Sequence, residues 1–333
     1  MYYNCQSLKI RIGSPKKSFA FIMITGIASL VYAVFLSIMI IFNIAGNSFC
    51  LVILKRKVMK TSINWLLFHL AVADLLVAVL FIHPCILSHF IELPGGVIGN
   101  VLCKFFSSGS LGWIAATTSS FLLVVIATER YSATLHPLKK KRSGRSSWWV
   151  PVAWVSAILL LMPSIVVTSY DSQNQQCKQH FPDNTTARAY KITWSTSNSL
   201  LPMCILGYLY ARIIWCLRNR TLVPCSSQRA TTESRKVTKM LISVSAIFIM
   251  CWTPPAVLCL LSPLIRGGYT TVYYVSQASA LLNSCLNPLV YTLHSQQFRK
   301  NLVSFMPCCK SKLLDSRLTG KATNSPDIRL LTY

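Results

Sequence analysis

The sequence predicts an all-α membrane protein, a seven-transmembrane helix bundle, and three observations carry that reading. Seven apolar runs recur along the chain, each about 20 residues or longer, the length a helix needs to cross a ~30 Å hydrocarbon core. Charged residues make up 12% of the 333-residue chain, against about 25% in soluble domains. The 33 Lys and Arg far outnumber the eight acids, and they gather between the apolar runs rather than within them. A net charge of +25 would point to nucleic acid in a soluble protein. Placed between apolar runs it marks membrane topology instead, and no nucleic-acid partner is expected.

The runs lie at roughly 24–54, 64–89, 102–133, 147–168, 192–217, 237–262 and 271–293. They divide the chain into an outer N-terminus (1–23), a bundle (24–293), a short helical segment (294–307) and a tail (308–333). No internal repeat is evident, which counts against an inverted-repeat transporter. Residues 1–20 lack the apolar core of a signal peptide, so the first span is expected to act as the insertion signal.

Orientation follows from the loops. Those after spans one, three and five carry Lys55, Arg56, Lys57 and Lys60, then Lys139 to Arg142 and Arg145, then Arg218, Arg220, Arg229 and Arg235. The opposite loops carry far fewer basic residues, which places the N-terminus outside and the C-terminus in the cytoplasm. Lys9, Arg11, Lys16 and Lys17 before span one oppose this and are outvoted. Of 13 cysteines none has paired metal spacing. Cys103 and Cys177 lie in outward-facing segments, where oxidising conditions allow a bridge. Asn184-Thr185-Thr186 in the same outer loop is a glycosylation sequon.

A polar side chain inside a span is expensive and points to function by default. Asp74 is the one acid placed well inside a span. Ser119 stands eleven residues before Arg130, about 16 Å along a helix, and is therefore mid-membrane. Asn283 and Asn287 share a helix face, with Ser284 beside them. Together with Asp74 these residues offer oxygen ligands for a small hard cation such as sodium, the acid supplying the charge. A structural acid neutralised by protonation or hydrogen bonds is the competing reading. At the inner end of span three, Glu129-Arg130-Tyr131 places an Arg beside an acid that can hold it while the bundle is closed. An Arg reaching for lipid headgroups is the alternative for an isolated triplet. Pro163, Pro202, Pro254 and Pro288 interrupt spans and remove helix hydrogen bonds, so they are natural hinges; Trp252 sits at the Pro254 kink.

Taken together and in order, these residues resemble the rhodopsin-like (class A) G-protein-coupled receptors over roughly residues 25–310. The set comprises Gly46-Asn47, Leu70 to Leu75 around Asp74, Cys103, Glu129-Arg130-Tyr131 with Pro137, Trp154 and Pro163, Pro202 and Tyr210. It continues through Phe248, Cys251-Trp252-Thr253-Pro254 and Asn287-Pro288-Leu289-Val290-Tyr291. Phe298-Arg299 then opens a short amphipathic cytoplasmic eighth helix with Phe298, Leu302 and Phe305 on its apolar face.

The resemblance implies a receptor, not an enzyme. An extracellular ligand shifts span six about Pro254, Tyr210 and Tyr291 swing inward, and Arg130 leaves Glu129 to meet a heterotrimeric G protein. Phe248 and Trp252 belong to that switch. It further implies no required cofactor, an allosteric sodium ion at Asp74 favouring the inactive state, and palmitoylation at Cys308 and Cys309 holding the eighth helix to membrane lipid. Receptor kinases acting on Ser311, Ser316, Thr319, Thr323 and Ser325 would recruit arrestin, and the receptor would stand in the plasma membrane.

Several positions depart from the pattern. The interval from Cys103 to Arg130 is two residues longer than usual, so the top of span three is expected to differ. Ser120 stands where a bulky apolar residue commonly packs. Ser234 occupies the place of an acid that often locks Arg130, with Glu233 adjacent, which implies a weaker lock. His69 replaces an Asn and is expected to hydrogen-bond Trp154.

The ligand is narrowed by exclusion. Gly112 stands where amine receptors place an Asp, and span seven has no Lys for a retinal Schiff base. A peptide is the favoured ligand. The outer loop at about 169–191 is long and polar, and its Lys178, Arg188 and Lys191 could meet a carboxylate. The runs at 236–240 and 251–254 look similar to neuropeptide receptors. A lipid or non-amine small molecule is the alternative within the family. A seven-helix channel or transporter is the alternative outside it, against which stands the single deep charge at Asp74.

Overall fold

The computed structural model describes residues 19–56, 61–135, 147–218, 228–261, 268–294 and 298. The tail with Cys308 and Cys309, and all of the expected eighth helix beyond Phe298, lie outside the described residues. The side chains of Glu233 and Ser234 are likewise not described.

The chain forms α1 (Phe19–Leu54), α2 (Ser62–Cys85), α3 (Gly96–Leu102), α4 (Ser110–Leu135), α5 (Trp149–Val167), the strands β1 (Thr168–Asp171) and β2 (Gln176–Gln179), then α6 (Asn184–Ser195), α7 (Leu201–Arg218), α8 (Gln228–Leu261) and α9 (Gly268–His294). The seven spans correspond to α1, α2, α4, α5, α7, α8 and α9. Among the described residues, six stretches are apolar and long enough to cross a membrane: Leu30–Leu54, Ser62–Cys85, Gly96–Leu135, Trp149–Val167, Asn184–Arg218 and Lys236–Leu261. The seventh, α9, has the length at 27 residues but buries Ser276, Gln277, Ser279, Asn283, Ser284 and Asn287.

The bundle is inverted relative to a water-soluble protein. Phe42 is 64% exposed while its neighbour Asn43 is fully buried. Lipid takes the apolar surface, and the polar residues turn inward because hydrocarbon offers them no partner. α1 packs on α2 and α9, α2 on α4, α4 on α5 and α7, and α8 on α9, so α4 runs through the middle.

Local chemistry sets the ends. Thr61 caps α2 by accepting from the Asn64 amide at 3.2 Å. The Asp183 carboxylate caps α6, accepting from the Thr186 amide at 2.7 Å and hydroxyl at 2.8 Å. Span three does not begin at 102 as expected. A π-turn at Cys103–Ser107 and a break at Gly109, with φ of 72°, precede α4. The two surplus residues before Arg130 are absorbed there, before the regular helix α4 begins. Lys104, held by that turn, donates to the Val166 carbonyl at 3.0 Å and the Ile165 carbonyl at 3.4 Å. It thereby satisfies the open carbonyl end of α5.

The loop between α5 and α6 is more ordered than its polarity predicts. β1 and β2 form an antiparallel hairpin in which Tyr170 faces Cys177. A disulfide joins Cys177 to Cys103 across 5.6 Å between α-carbons. The Tyr170 amide donates to Asn100 Oδ1 at 3.2 Å and its hydroxyl donates to the Leu93 carbonyl at 3.1 Å, fixing the hairpin over α3. Span five does not begin at 192 either. Its helix starts at Asn184, passes through a second π-turn at Thr196–Leu200 and continues as α7 to Arg218. The Asn184 sequon is therefore the exposed first residue of a helix, not part of a loop.

Candidate functional site

The middle of the bundle converges on Asp74, which is wholly buried on α2. Its Oδ1 accepts from Ser119 of α4 at 2.8 Å and from Ser284 of α9 at 2.8 Å. Its Oδ2 accepts from Asn287 Nδ2 at 2.7 Å. Three helices are thus tied to one carboxylate by neutral donors alone. Around it, the buried side-chain oxygens of Asn47, Asn283 and Asn287 have no hydrogen-bond partner. Ser119, Ser284 and Asn287 gather as expected, whereas Asn283 lies in the same region without bonding Asp74. Among the described residues no group of three His, Cys, Asp or Glu could hold a metal. A cation here would rest on one carboxylate with hydroxyl and carboxamide oxygens, the donor set of a hard monovalent ion.

α1 joins this node through residues the sequence only half disclosed. Asn47 Nδ2 donates to the Ser284 carbonyl at 3.1 Å and to Asn43 Oδ1 at 2.8 Å. Asn43 escaped notice because a single Asn in an apolar run gives no periodic signal; its spacing of one turn from Asn47 was the available clue. Gly46, on the same helix, admits the ring of Pro288: a β-carbon there would stand 3.0 Å from Pro288 Cγ.

Trp252 and Phe248 are buried on α8 with ring centroids 6.1 Å apart, on the N-terminal side of Pro254 and Pro255. Ser120 does not replace the bulky packing residue in any polar contact between helices. Its hydroxyl turns back to the Ala116 carbonyl at 3.1 Å.

At the end of α4 away from the hairpin, Arg130 is half-buried and interacts electrostatically with both Tyr210 of α7 and Glu129. Tyr210 is also hydrogen-bonded to the side chain of Ser245 on α8, a residue not anticipated from sequence. Tyr291 is enclosed, its hydroxyl without a partner, and its ring meets Phe298 at 6.2 Å. Ser243 of α8 and His294 of α9 approach at 3.3 Å. Tyr131 is half-buried on α4.

Two expected contacts are not formed. His69 does not bond Trp154: its Nε2 is buried without a hydrogen bond, and its ring packs edge-on against Trp65 at 4.5 Å. Lys178 does not stand open to a ligand carboxylate. It is paired with Asp171 across the hairpin, and Asn174 bonds the same carboxylate at 2.7 Å. These bonds, Lys178 first, hold the Asp171 carboxyl well below the usual range.

The half of the bundle next to the hairpin is aromatic. Trp113 of α4 meets Phe81 of α2 at 5.1 Å, Trp194 of α6 at 5.5 Å and Tyr273 of α9 at 6.1 Å, each edge to face. Phe81 occupies the space beside Gly112, where a β-carbon would stand 2.2 Å from its Cε1.

Comparison with known proteins agrees with this arrangement. The sequence profile of the "7 transmembrane receptor (rhodopsin family)" matches residues 46–291. Similar proteins include neuropeptide FF receptor 2 of Rattus norvegicus, 27% identical over 313 residues covering 85% of this chain and 74% of the relative. Somatostatin receptor type 4 of Rattus norvegicus is 29% identical over 295 residues, with 85% and 74% covered. A QRFP-like peptide receptor of Branchiostoma floridae is 25% identical over 320 residues, with 90% and 83% covered. Seven helices, a buried polar node and a profile match across most of the bundle lead to one conclusion: the chain belongs to the rhodopsin family of seven-transmembrane receptors.

Proposed function

We propose that this receptor binds an extracellular peptide and activates a heterotrimeric G protein by outward movement of its sixth span, α8. The names of the relatives above, which are receptors for neuropeptide FF, somatostatin and a QRFP-like peptide, support a peptide ligand. The observation that carries the mechanism is the interior polar chain. Asp74 couples α2, α4 and α9, and Tyr210 couples Arg130 to Ser245 on α8. A ligand that binds one arrangement of these helices better than another shifts the population by its differential affinity. When α8 swings about Pro254, Tyr210 gives up Ser245, Tyr291 turns inward, and Arg130 leaves Glu129 to meet the G protein. Phe248 and Trp252 transmit the ligand's push.

Sodium fits the middle of the bundle. Asp74, Ser119, Ser284 and Asn287, with the unpaired Asn283 oxygen, would hold it and so favour the closed arrangement. The ion supplies a positive charge beside a carboxylate that neutral donors leave uncompensated. The receptor stands in the plasma membrane with the N-terminus (1–23) outside, a glycan on Asn184, and the eighth helix (294–307) and tail (308–333) in the cytoplasm. Palmitoyl groups on Cys308 and Cys309 hold it to lipid, and kinases and arrestin act on the tail.

The test is nucleotide exchange on a G protein in membranes holding this chain, screened against a peptide library. A peptide that accelerates exchange, with the response lost in Arg130→Ala at normal surface expression, is the expected result. Full coupling by Arg130→Ala would refute the assigned role, and an ion current or substrate uptake in place of exchange would refute the receptor mechanism.

A further inference from the structure

One exposed apolar surface lies outside the regular spans. Phe90 is 82% exposed, Val97 81% and Ile98 67%, with Ile91 and Val101 also open. All five stand between the end of α2 at Cys85 and the π-turn that begins at Cys103. α4 holds 26 residues, more than the ~20 that cross the hydrocarbon core. The apolar stretch Gly96–Leu135, 40 residues long, therefore overruns the membrane. Its excess, α3 and the π-turn, falls at the membrane surface on the hairpin side.

α3 has two unlike faces. Gly99 and Cys103, one turn apart, are buried. A β-carbon at Gly99 would overlap the Pro94 carbonyl, because the chain turns tightly back on this face. The hairpin rests here as well: Tyr170 bonds Asn100 and the Leu93 carbonyl, and the disulfide leaves from Cys103. Helical spacing puts Val97, Ile98 and Val101 on the opposite face, where they are exposed. The side that holds the hairpin is thus packed, and the side turned away from it is apolar and open.

Composition and continuity identify what covers that side. Glu92 is the one charged residue among the eighteen from 86 to 103, so the segment lacks the polar rim of a protein interface. Its apolar surface also continues that of the spans. Lys104 of the π-turn bonds the Ile165 and Val166 carbonyls at the end of α5, and Val166, Phe106 and Val101 are all exposed. The lipid-facing surface of α5 therefore runs through the π-turn onto α3. A patch of this kind in contact with water would be costly, and a bilayer surface is the neighbour already present.

We propose that Phe90, Val97, Ile98 and Val101 insert into the leaflet on the hairpin side, making the segment between α2 and α4 an interfacial membrane anchor. The hairpin is then seated on a platform whose far side is held by lipid at the boundary of headgroup and acyl chain.

Photocrosslinking in the full chain, reconstituted in phosphatidylcholine liposomes, tests this. The photoreactive residue p-benzoylphenylalanine replaces Phe90, Val97, Val34 or Thr185, one at a time, and adducts are identified by mass spectrometry after irradiation. All four positions are exposed, so the fold tolerates the probe. Val34 on the lipid-facing side of α1 and Thr185 at the start of α6 are the positive and negative controls. Lipid adducts at Phe90 and Val97 should approach the Val34 yield and exceed the Thr185 yield about tenfold, the ratio that burial of one apolar side chain implies. Yields no higher than at Thr185 would show a surface open to water, and adducts between two copies of the chain would show a dimer face; either overturns the proposal. A second arm omits the apolar probe. Val97→Ser, Ile98→Ser and Val101→Ser are combined, since Ser has a helix propensity close to that of Val and Ile. Hydrogen exchange over 96–102 in liposomes, corrected for intrinsic rates, should be several-fold faster in this variant. Exchange equal to that of the unaltered chain would overturn the anchor.

Discussion

Asn287 reaches from the seventh span to donate a 2.7 Å hydrogen bond to Asp74 Oδ2, leaving Oδ1 to Ser119 and Ser284. Every donor to this carboxylate is neutral, so its charge is dispersed but not cancelled. Asp74→Ala should cost about 1–3 kcal/mol for each donor left unpaired. Asp74→Asn should be milder and should abolish stabilisation by sodium. Unfolding temperatures in nanodiscs, with sodium chloride against choline chloride at equal ionic strength, check both. Equal stabilisation of Asp74→Asn and the unaltered chain by sodium would dismiss the ion site.

Gly112 and Phe81 make a second prediction. A β-carbon at Gly112 would overlap the ring at 2.2 and 2.3 Å, and a ring edge inside a packed bundle has little room to retreat. Gly112→Ala should destabilise by about 1–3 kcal/mol, and adding Phe81→Leu should recover most of the loss. A thermal-unfolding cycle over the two single variants and the double variant measures the coupling. Additive effects would mean that the ring moves freely.

The Cys103–Cys177 bridge closes a loop with a sequence separation of 74 residues. By the loop-entropy argument its removal should cost about 4 kcal/mol. The paired Cys103→Ser and Cys177→Ser variant should unfold at lower temperature and lose amide protection across 168–179. Unchanged hydrogen exchange there would show that the Tyr170 contacts with Asn100 and Leu93 hold the hairpin unaided.

Asp171 makes the pH behaviour of that hairpin predictable. Its carboxyl is held low by Lys178 and Asn174. Its contribution is therefore fully present above the ordinary carboxyl range, near pH 4, and is lost only as pH falls through the lower folded value. Hydrogen exchange over 168–179, corrected for intrinsic rates, should be the same at pH 7 and pH 5. Asp171→Asn should weaken protection equally at both. Loss of protection in the unaltered chain by pH 5 would contradict this.

Much of the node was legible because a helix converts spacing into depth. Ser119, eleven residues from Arg130, had to lie mid-membrane, and there it meets Asp74. Asn198 and Ser245 were not legible, since polar residues near span ends are common and only packing shows which are enclosed. The two extra residues after Cys103 announced an irregular top to span three. Whether a π-turn, a bulge or a longer loop would absorb them depends on Gly109 and on the bridge, which spacing does not encode. Lys178 was misjudged because a charge in a polar loop reads as available until the opposing strand brings Asp171 beside it.

The wide turn at Thr196–Leu200 lies within a helical path that runs from Asn184 to Arg218. Loss of one residue from that turn would rewind it and rotate everything above it by about 100° relative to everything below. Trp194 would be carried off the aromatic cluster while Tyr210 kept its place against Arg130. The aromatic cluster and the Arg130 end of the bundle are thus held in phase on one rod by a single supernumerary residue, and its count is as consequential as the identity of any side chain it carries.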